Sequence, residues 1–438
     1  MKKSRHLQMI SYMIFSLLIM TSCQQSTHSN TASKKISISF WTYPIGDFSN
    51  KSTVSSFISS FEKKYPSIQV NVDYLDYASG DEQVSAALEA STAPDVIMEG
   101  PERLVSSWGA KGKMVELKDL WTKTVTADIN RLNPIIAKAC QNAQGQYYEY
   151  PLCMTPHCMA INYEIFKKAG ALKYLNLKTR TWTTEGFIKA CQKIRNAHLV
   201  KDVAKVYCGG QGGDQGTRAL VTNLYGASFT NKAHTAYTIN SKKGLKALQL
   251  LVNMCKTGSL SYDTQMQGTE ELSAFANEKV AMSFAWNSSN QKLVAGNIHF
   301  TPYVMNFPAS QKEPSLCGGI WGFGIFNNHS QTKREAAKTF IRYMCNDASQ
   351  VKKSVQATGS FSVRSSLQTI YKDTNEEKRM SQYYQLLKNI GDYYNVTSGF
   401  SAQRTVWWNM LQQIFNGTPV KKAANQYVDT SDKTIRNQ

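Results

Sequence analysis

Between residues 36 and 98 the chain alternates strand and helix on a short repeat, and this alternation limits the possible architecture more than any other feature. Residues 36–41 are a β-branched and aromatic run. Phe57, Ile58, Phe61 and Tyr65 then form an apolar stripe at helical spacing, stopped by Pro66. Residues 68–75 alternate as a half-buried strand, 83–90 read as a helix and 95–98 as a short buried strand. The order βαβαβ returns each strand alongside the last, so a mainly parallel sheet is expected, with binding loops gathered beyond its carboxyl ends. A second unit begins at residues 150–162, where Pro151 and Pro156 punctuate two extended pieces. It continues through a helix after Thr183, a strand at 204–208, helices at 217–225 and from Gly244, and a strand at 280–286. A strand at 318–326 and an amphipathic helix at 332–344 follow.

Ahead of this body stand Lys2, Lys3 and Arg5, an apolar run over residues 9–20, and Thr21-Ser22-Cys23. A basic start, a short apolar core and small residues before a cysteine mark an export signal, cleaved at Cys23 with lipid attached there. The core is too short for a permanent span. Residues 24–35 lack periodicity and read as a flexible tether reaching roughly 20 Å. The folded part is therefore expected on the extracellular face of the cell membrane, lipid-anchored.

Loss of Lys2, Lys3 and Arg5 lowers the formal charge from +19 to +16. The lysines are scattered rather than gathered with aromatics into a stripe. Together with the export signal this argues against nucleic acid and for acidic polymers or an anionic ligand. Nine cysteines, less Cys23, leave eight, whose roughly 105 possible pairings the spacing does not narrow. Cys191, Cys255 and Cys345 lie in apolar helical stretches where a thiol packs as a small hydrophobe, so mostly reduced cysteines are expected. Cys153-x-x-x-His157-Cys158 offers metal-type ligands without a fourth at finger-like spacing, and no metal is expected.

The stretch GGQGGDQGTR, residues 209–218, invites a phosphate reading that fails on register. The dinucleotide fingerprint needs a glycine where Gln215 stands, and the triphosphate loop needs a lysine after Gly216. Glu99, Glu102 and Asp214 offer the carboxylates of a glycosidase, but a carboxylate that binds sugar hydroxyls needs no catalytic role. HExxH, GxSxG and CxxC are all absent. Neither an enzyme nor a cofactor is expected. The loops beyond the strand ends carry Trp41 and Tyr43, then Glu99 and Arg103, then Gln211, Asp214 and Gln215, then Trp286. Rings for stacking beside mixed donors and acceptors suit a sugar. Glycines would let the backbone approach that ligand, and Asp214 either contacts it or caps the following helix.

Phe40-Trp-Thr-Tyr-Pro44, Phe61-Glu-Lys-Lys-Tyr-Pro66, Ala93-Pro-Asp-Val-Ile97, Tyr150-Pro-Leu152, Lys279-Val-Ala-Met282 and the 318–326 strand with its helix resemble the extracellular solute-binding proteins of sugar-importing ABC transporters, of the multiple-sugar and maltodextrin type. GQGGDQGTRA, Thr222-Asn-Leu-Tyr225, Val363-Arg364-Ser365 and Arg404-Thr-Val-Trp407 resemble most closely the sialic acid-binding lipoproteins of Gram-positive importers. The resemblance implies an α/β fold of the periplasmic-binding-protein type II, with two discontinuous lobes joined by a hinge and a ligand cleft between them. Residues 36–152 with 316–362 form lobe one, and 153–315 with 363–438 form lobe two. It also implies capture of a carbohydrate without chemistry and its presentation to membrane permease subunits. Trp321 in the crossing strand and Trp407, about 100° from Trp408 on a helix, join the candidate ligand residues. For the carboxylate of an acidic sugar, Arg218 is the first candidate and Arg364 the second, with Arg404 beside them, because a guanidinium fork matches carboxylate geometry. A neutral oligosaccharide, a cell-surface glycan-active enzyme and an adhesin are the alternatives.

Overall fold

The computed structural model describes residues 35–77, 79–310 and 314–436. The export signal, Cys23 and tether residues 24–34 lie outside the described residues. Strand β1 (Ile36–Thr42) sends Ile38, Phe40 and Thr42 inward. The Lys51–Lys64 helix starts where the Asn50 side chain accepts the N–H groups of Ser52 and Thr53, and it buries Val54, Phe57, Ile58 and Phe61, much as the stripe predicts. Strand β2 (Ile68–Tyr74), the Gly80–Glu89 helix and β3 (Val96–Glu99) complete the first unit. β1 pairs in parallel with both neighbours, which the alternation requires.

The later strands are β4 (Tyr150–Pro156), β5 (Cys158–Asn162), β6 (Lys205–Tyr207), β7 (Ser261–Asp263), β8 (Met282–Trp286), β9 (Pro302–Met305), β10 (Gly318–Ile325) and β11 (Phe361–Ser362). They build a six-stranded sheet in the order β11-β4-β10-β3-β1-β2, a three-stranded sheet β8-β5-β9, and the pair β6-β7. The expectation of a mainly parallel large sheet is corrected here, because β10 runs antiparallel to β3 and β4, and β11 antiparallel to β4. A crossover helix enforces parallel direction only between strands it joins directly, and β10 returns from a long excursion through the other sheets. β4 and β5 are separated by His157 alone, yet they belong to different sheets.

Two aromatic clusters hold these layers. Phe40 lies 5.3 Å from Phe340 and 5.9 Å from Phe323, and Phe61 meets Phe340 edge-on at 5.2 Å. These contacts clamp the Lys51–Lys64 and Gln331–Asn346 helices to the large sheet, each buried ring contributing about 1.5–3 kcal/mol. Phe229, Tyr237, Trp407 and Tyr427 form the second cluster, under the Phe400–Phe415 and Val420–Arg436 helices. After a short helical turn at Pro101–Arg103, Leu104–Gly109 is π-helical, the N–H of Ala110 reaching back to the Val105 carbonyl at 2.9 Å. The eight described cysteines are free thiols, all buried except Cys255. No helix among the described residues is long and apolar enough to cross a membrane.

Candidate functional site

The carboxyl ends of β1, β2 and β3 converge on one wall. Tyr43, just past β1, is fully buried and donates its hydroxyl to Asp81 Oδ1 at 2.7 Å. Its ring stacks on Tyr77, just past β2, at 5.1 Å between centroids. Arg103 lies over both rings. The Arg103 guanidinium forks onto Asp81 at 2.7 and 3.0 Å and reaches Glu99 Oε1 at 2.8 Å. Burial raises the Glu99 carboxyl, against the pull of Arg103, to about 7. Burial acts upward on Asp81 too, but there Arg103 prevails and holds the carboxyl below its ordinary value. Tyr77 keeps 43% of its surface exposed. Desolvation by the surrounding protein, with the Glu99 charge adding to it, pushes its hydroxyl well above the ordinary phenol value.

The second wall comes from the glycine loop, the Gln215–Tyr225 helix, the Phe400–Phe415 helix and His157. Asp214 does not cap the helix that follows it. Its buried carboxylate instead pairs with Arg218 one turn on, and accepts Arg404 Nε and Nη2, both at 2.8 Å. Burial works against the charged form, but the two guanidinium groups outweigh it and keep Asp214 below its usual range. Arg404 also donates to the Gln211 carbonyl at 2.6 Å. The side-chain amides of half-buried Gln211 and Gln215 have no hydrogen-bond partner among the described residues. Burial, with Arg218 and then Arg404 opposing a second positive charge, lowers His157 to about 4. Two buried nitrogens on this wall, Arg218 Nη2 and His157 Nε2, have no partner among the described residues. The two walls meet through Tyr393, whose hydroxyl lies 3.3 Å from Glu102 Oε2, and Tyr394, whose hydroxyl accepts Arg218 Nε at 3.4 Å.

Tyr43, Glu99, Arg103, Gln211, Asp214, Gln215, Arg218 and Arg404 thus come together, with half-buried Trp321 in β10 pairing opposite Cys153. Other candidates are corrected. Trp41 lies within β1 rather than on a loop, its indole donating to Asp73 at 2.8 Å. Trp286 is fully buried, edge-on to Phe275 at 5.3 Å, and Trp407 is fully buried with its indole on Thr217 Oγ1 at 3.1 Å. An enclosed ring has no face left for a sugar; of the adjacent pair, Trp408 is the half-buried one. Arg364 shares no partner with the cluster and donates to Tyr150 Oη and Asn346. Arg218 forms an ion pair in place of an open anion fork. The glycines serve close approach to the chain itself: a Cβ on Gly216 would strike the Phe284 carbonyl and Tyr207 hydroxyl, and Gly213 sits at φ +75°. Among the described residues no three metal-type ligands converge.

Sequence reasoning missed Tyr77, Asp81 and His157. The loop after β2 carries Tyr77 and leads to Asp81, and it has no tryptophan or glycine run to mark it in sequence. His157 stood out only as a metal-type ligand, because its change of sheet is invisible in sequence.

A family described as bacterial extracellular solute-binding protein matches residues 56–383. No curated protein sequence matches the chain. Among solved structures, the GacH receptor of Streptomyces glaucescens, determined unliganded and with acarbose, superposes with a TM-score of 0.72 at 16% identity, covering 92% of this chain and 99% of that one. An ABC substrate-binding protein of Listeria monocytogenes in complex with cycloalternan gives 0.71 at 19% identity over 92% and 99%. A maltose-bound protein of T. maritima gives 0.67 at 16% over 91% and 99%. At such identities the likeness establishes the fold, that of the periplasmic-binding-protein class.

Proposed function

Because the chain belongs to the bacterial extracellular solute-binding proteins, we propose that it captures a sugar outside the cell and hands it unaltered to the permease subunits of an ABC importer. Residues 36–152 with 316–362 form one lobe of this reading and 153–315 with 363–438 the other, closing on the ligand. The sheet exchange at His157 falls just past the first of these boundaries. Folds of the same class hold acarbose, cycloalternan and maltose, which supports a carbohydrate here.

The observation that carries the reading is the pair of buried nitrogens, Arg218 Nη2 and His157 Nε2, that have no partner among the described residues. Leaving a buried donor unpaired costs about 1–3 kcal/mol, more when it is charged. A ligand rich in oxygen removes that cost. The walls also differ in charge. Two guanidinium groups stand against Asp214 on one side, while Asp81, Glu99 and Glu102 stand against Arg103 on the other. An acidic sugar such as sialic acid fits this asymmetry, with its carboxylate toward Arg404, the less enclosed of the two guanidinium groups, and its hydroxyls toward Asp81 and Glu102.

Calorimetric titration against a panel of neutral and acidic glycans is expected to give a saturable sugar complex. Scattering should show a smaller radius of gyration with ligand, and the sugar recovered after denaturation should be intact. Recovery of a cleaved sugar, or binding to no glycan, overturns capture. Tight binding of neutral oligosaccharides without sialic acids confines the reading to a neutral ligand.

A further inference from the structure

The helical turn that carries Glu102 runs on past the central site. Val105, Ser106 and Gly109, in the π-helical segment that follows Glu102, line a groove of about 860 Å3. That volume lies within the roughly 300–1,000 Å3 typical of small-molecule sites. Lys232, His234, Asp392, Lys138 and the turn at residues 141–146 also line the groove. The groove meets the central site at Tyr393, which lines it and whose hydroxyl lies 3.3 Å from Glu102 Oε2.

Its chemistry differs from that of the centre. Lys138 and Lys232 are exposed and have no ion-pair partner among the described residues. Asp392 is the sole carboxylate among the described lining residues, and His234 Nε2 occupies it at 2.9 Å. The turn is pre-organised, Asn142 Oδ1 accepting the N–H groups of Gln144 at 3.0 Å and Gln146 at 2.9 Å. Half-buried and exposed amides therefore lie beside two unneutralised ammonium groups, a combination suited to hydroxyls and a carboxylate together.

We infer that this groove extends the cleft and binds a further, negatively charged unit of an acidic oligosaccharide, beyond the sugar held between Tyr77 and Arg404. The inference rests on the sugar-capture reading above. Its test is calorimetry with sialic acid, its linear trimer, maltose and maltotriose, on the natural protein and on a Lys138→Gln/Lys232→Gln variant. The trimer is expected to bind at least tenfold more tightly than the monomer at low salt, with the gain shrinking as salt rises. The double variant should lose that gain while monomer affinity and melting temperature stay unchanged. A trimer no tighter than the monomer, or a gain that survives both substitutions, overturns the groove. Binding of maltose or maltotriose alone leaves sugar capture standing and overturns the acidic extension, whereas binding of none of the four overturns both.

Discussion

Tyr77 draws its importance from what lies beneath it. Tyr43 supports one face, Arg103 covers both rings, and Asp81 holds Tyr43 and Arg103 in place, so the exposed face is a rigid platform. Tyr77→Ala should weaken sugar binding by about 5- to 30-fold, from a stacking and burial loss of about 1–2 kcal/mol. Its melting temperature without ligand should move little; calorimetry with thermal denaturation separates the two. Glu99 makes a different prediction. Its carboxyl is raised to about 7 from 4.5, so the folded state holds a proton that the unfolded chain has released. The stability this contributes is fully present below 4.5 and is lost as pH rises through about 7. His157, lowered from 6.5 to about 4, acts in the opposite sense: its share is present above 6.5 and is lost as pH falls through about 4. Glu99→Gln removes the first contribution, so its melting temperature should fall less than that of the natural protein between about pH 5 and 7.5. An unchanged profile would place the titration elsewhere.

At the scale of elements, the glycine loop illustrates where local reasoning stops. Its failure as a phosphate cradle was readable from the register of Gln215 and from Thr217 following Gly216. Its actual role was not, because the atoms that exclude side chains belong to Phe284 and Tyr207, remote in sequence or on another strand. Gly216→Ala should destabilise the fold by about 1–3 kcal/mol through this overlap. Denaturant melts should reveal the loss, while sugar affinity measured well below the transition stays within a few-fold. The strands and helices were legible because apolar spacing at periods of 2 and 3.6, the stop at Pro66 and the helix start at Thr183 are local properties. The direction of β10 was not, since an antiparallel neighbour and a parallel one bury the same Ile320 and Phe323. Asp214 shows the same limit at a helix start: a good capping residue is drawn instead into a pair with Arg404, nearly two hundred residues away.

For the whole molecule, the amino-terminal signal makes a prediction independent of the fold. Cys23→Ala should release the protein into the medium or leave it unprocessed, as fractionation and intact-mass measurement would show. Membrane retention with normal processing would remove the lipid anchor from the reading. The βαβαβ alternation by itself determined an α/β fold, and short motifs such as Phe40-Trp-Thr-Tyr-Pro44 carried the resemblance to solute-binding proteins, because each depends only on residues close together in the chain. Tertiary structure alone decided which candidates meet. It buried Trp286 and Trp407, set Arg364 apart, exposed Tyr77 and brought Arg404 onto Asp214. Whether a ring is platform or core, and whether an arginine is open or paired, depends on which distant segments pack against it, and no local spacing encodes that.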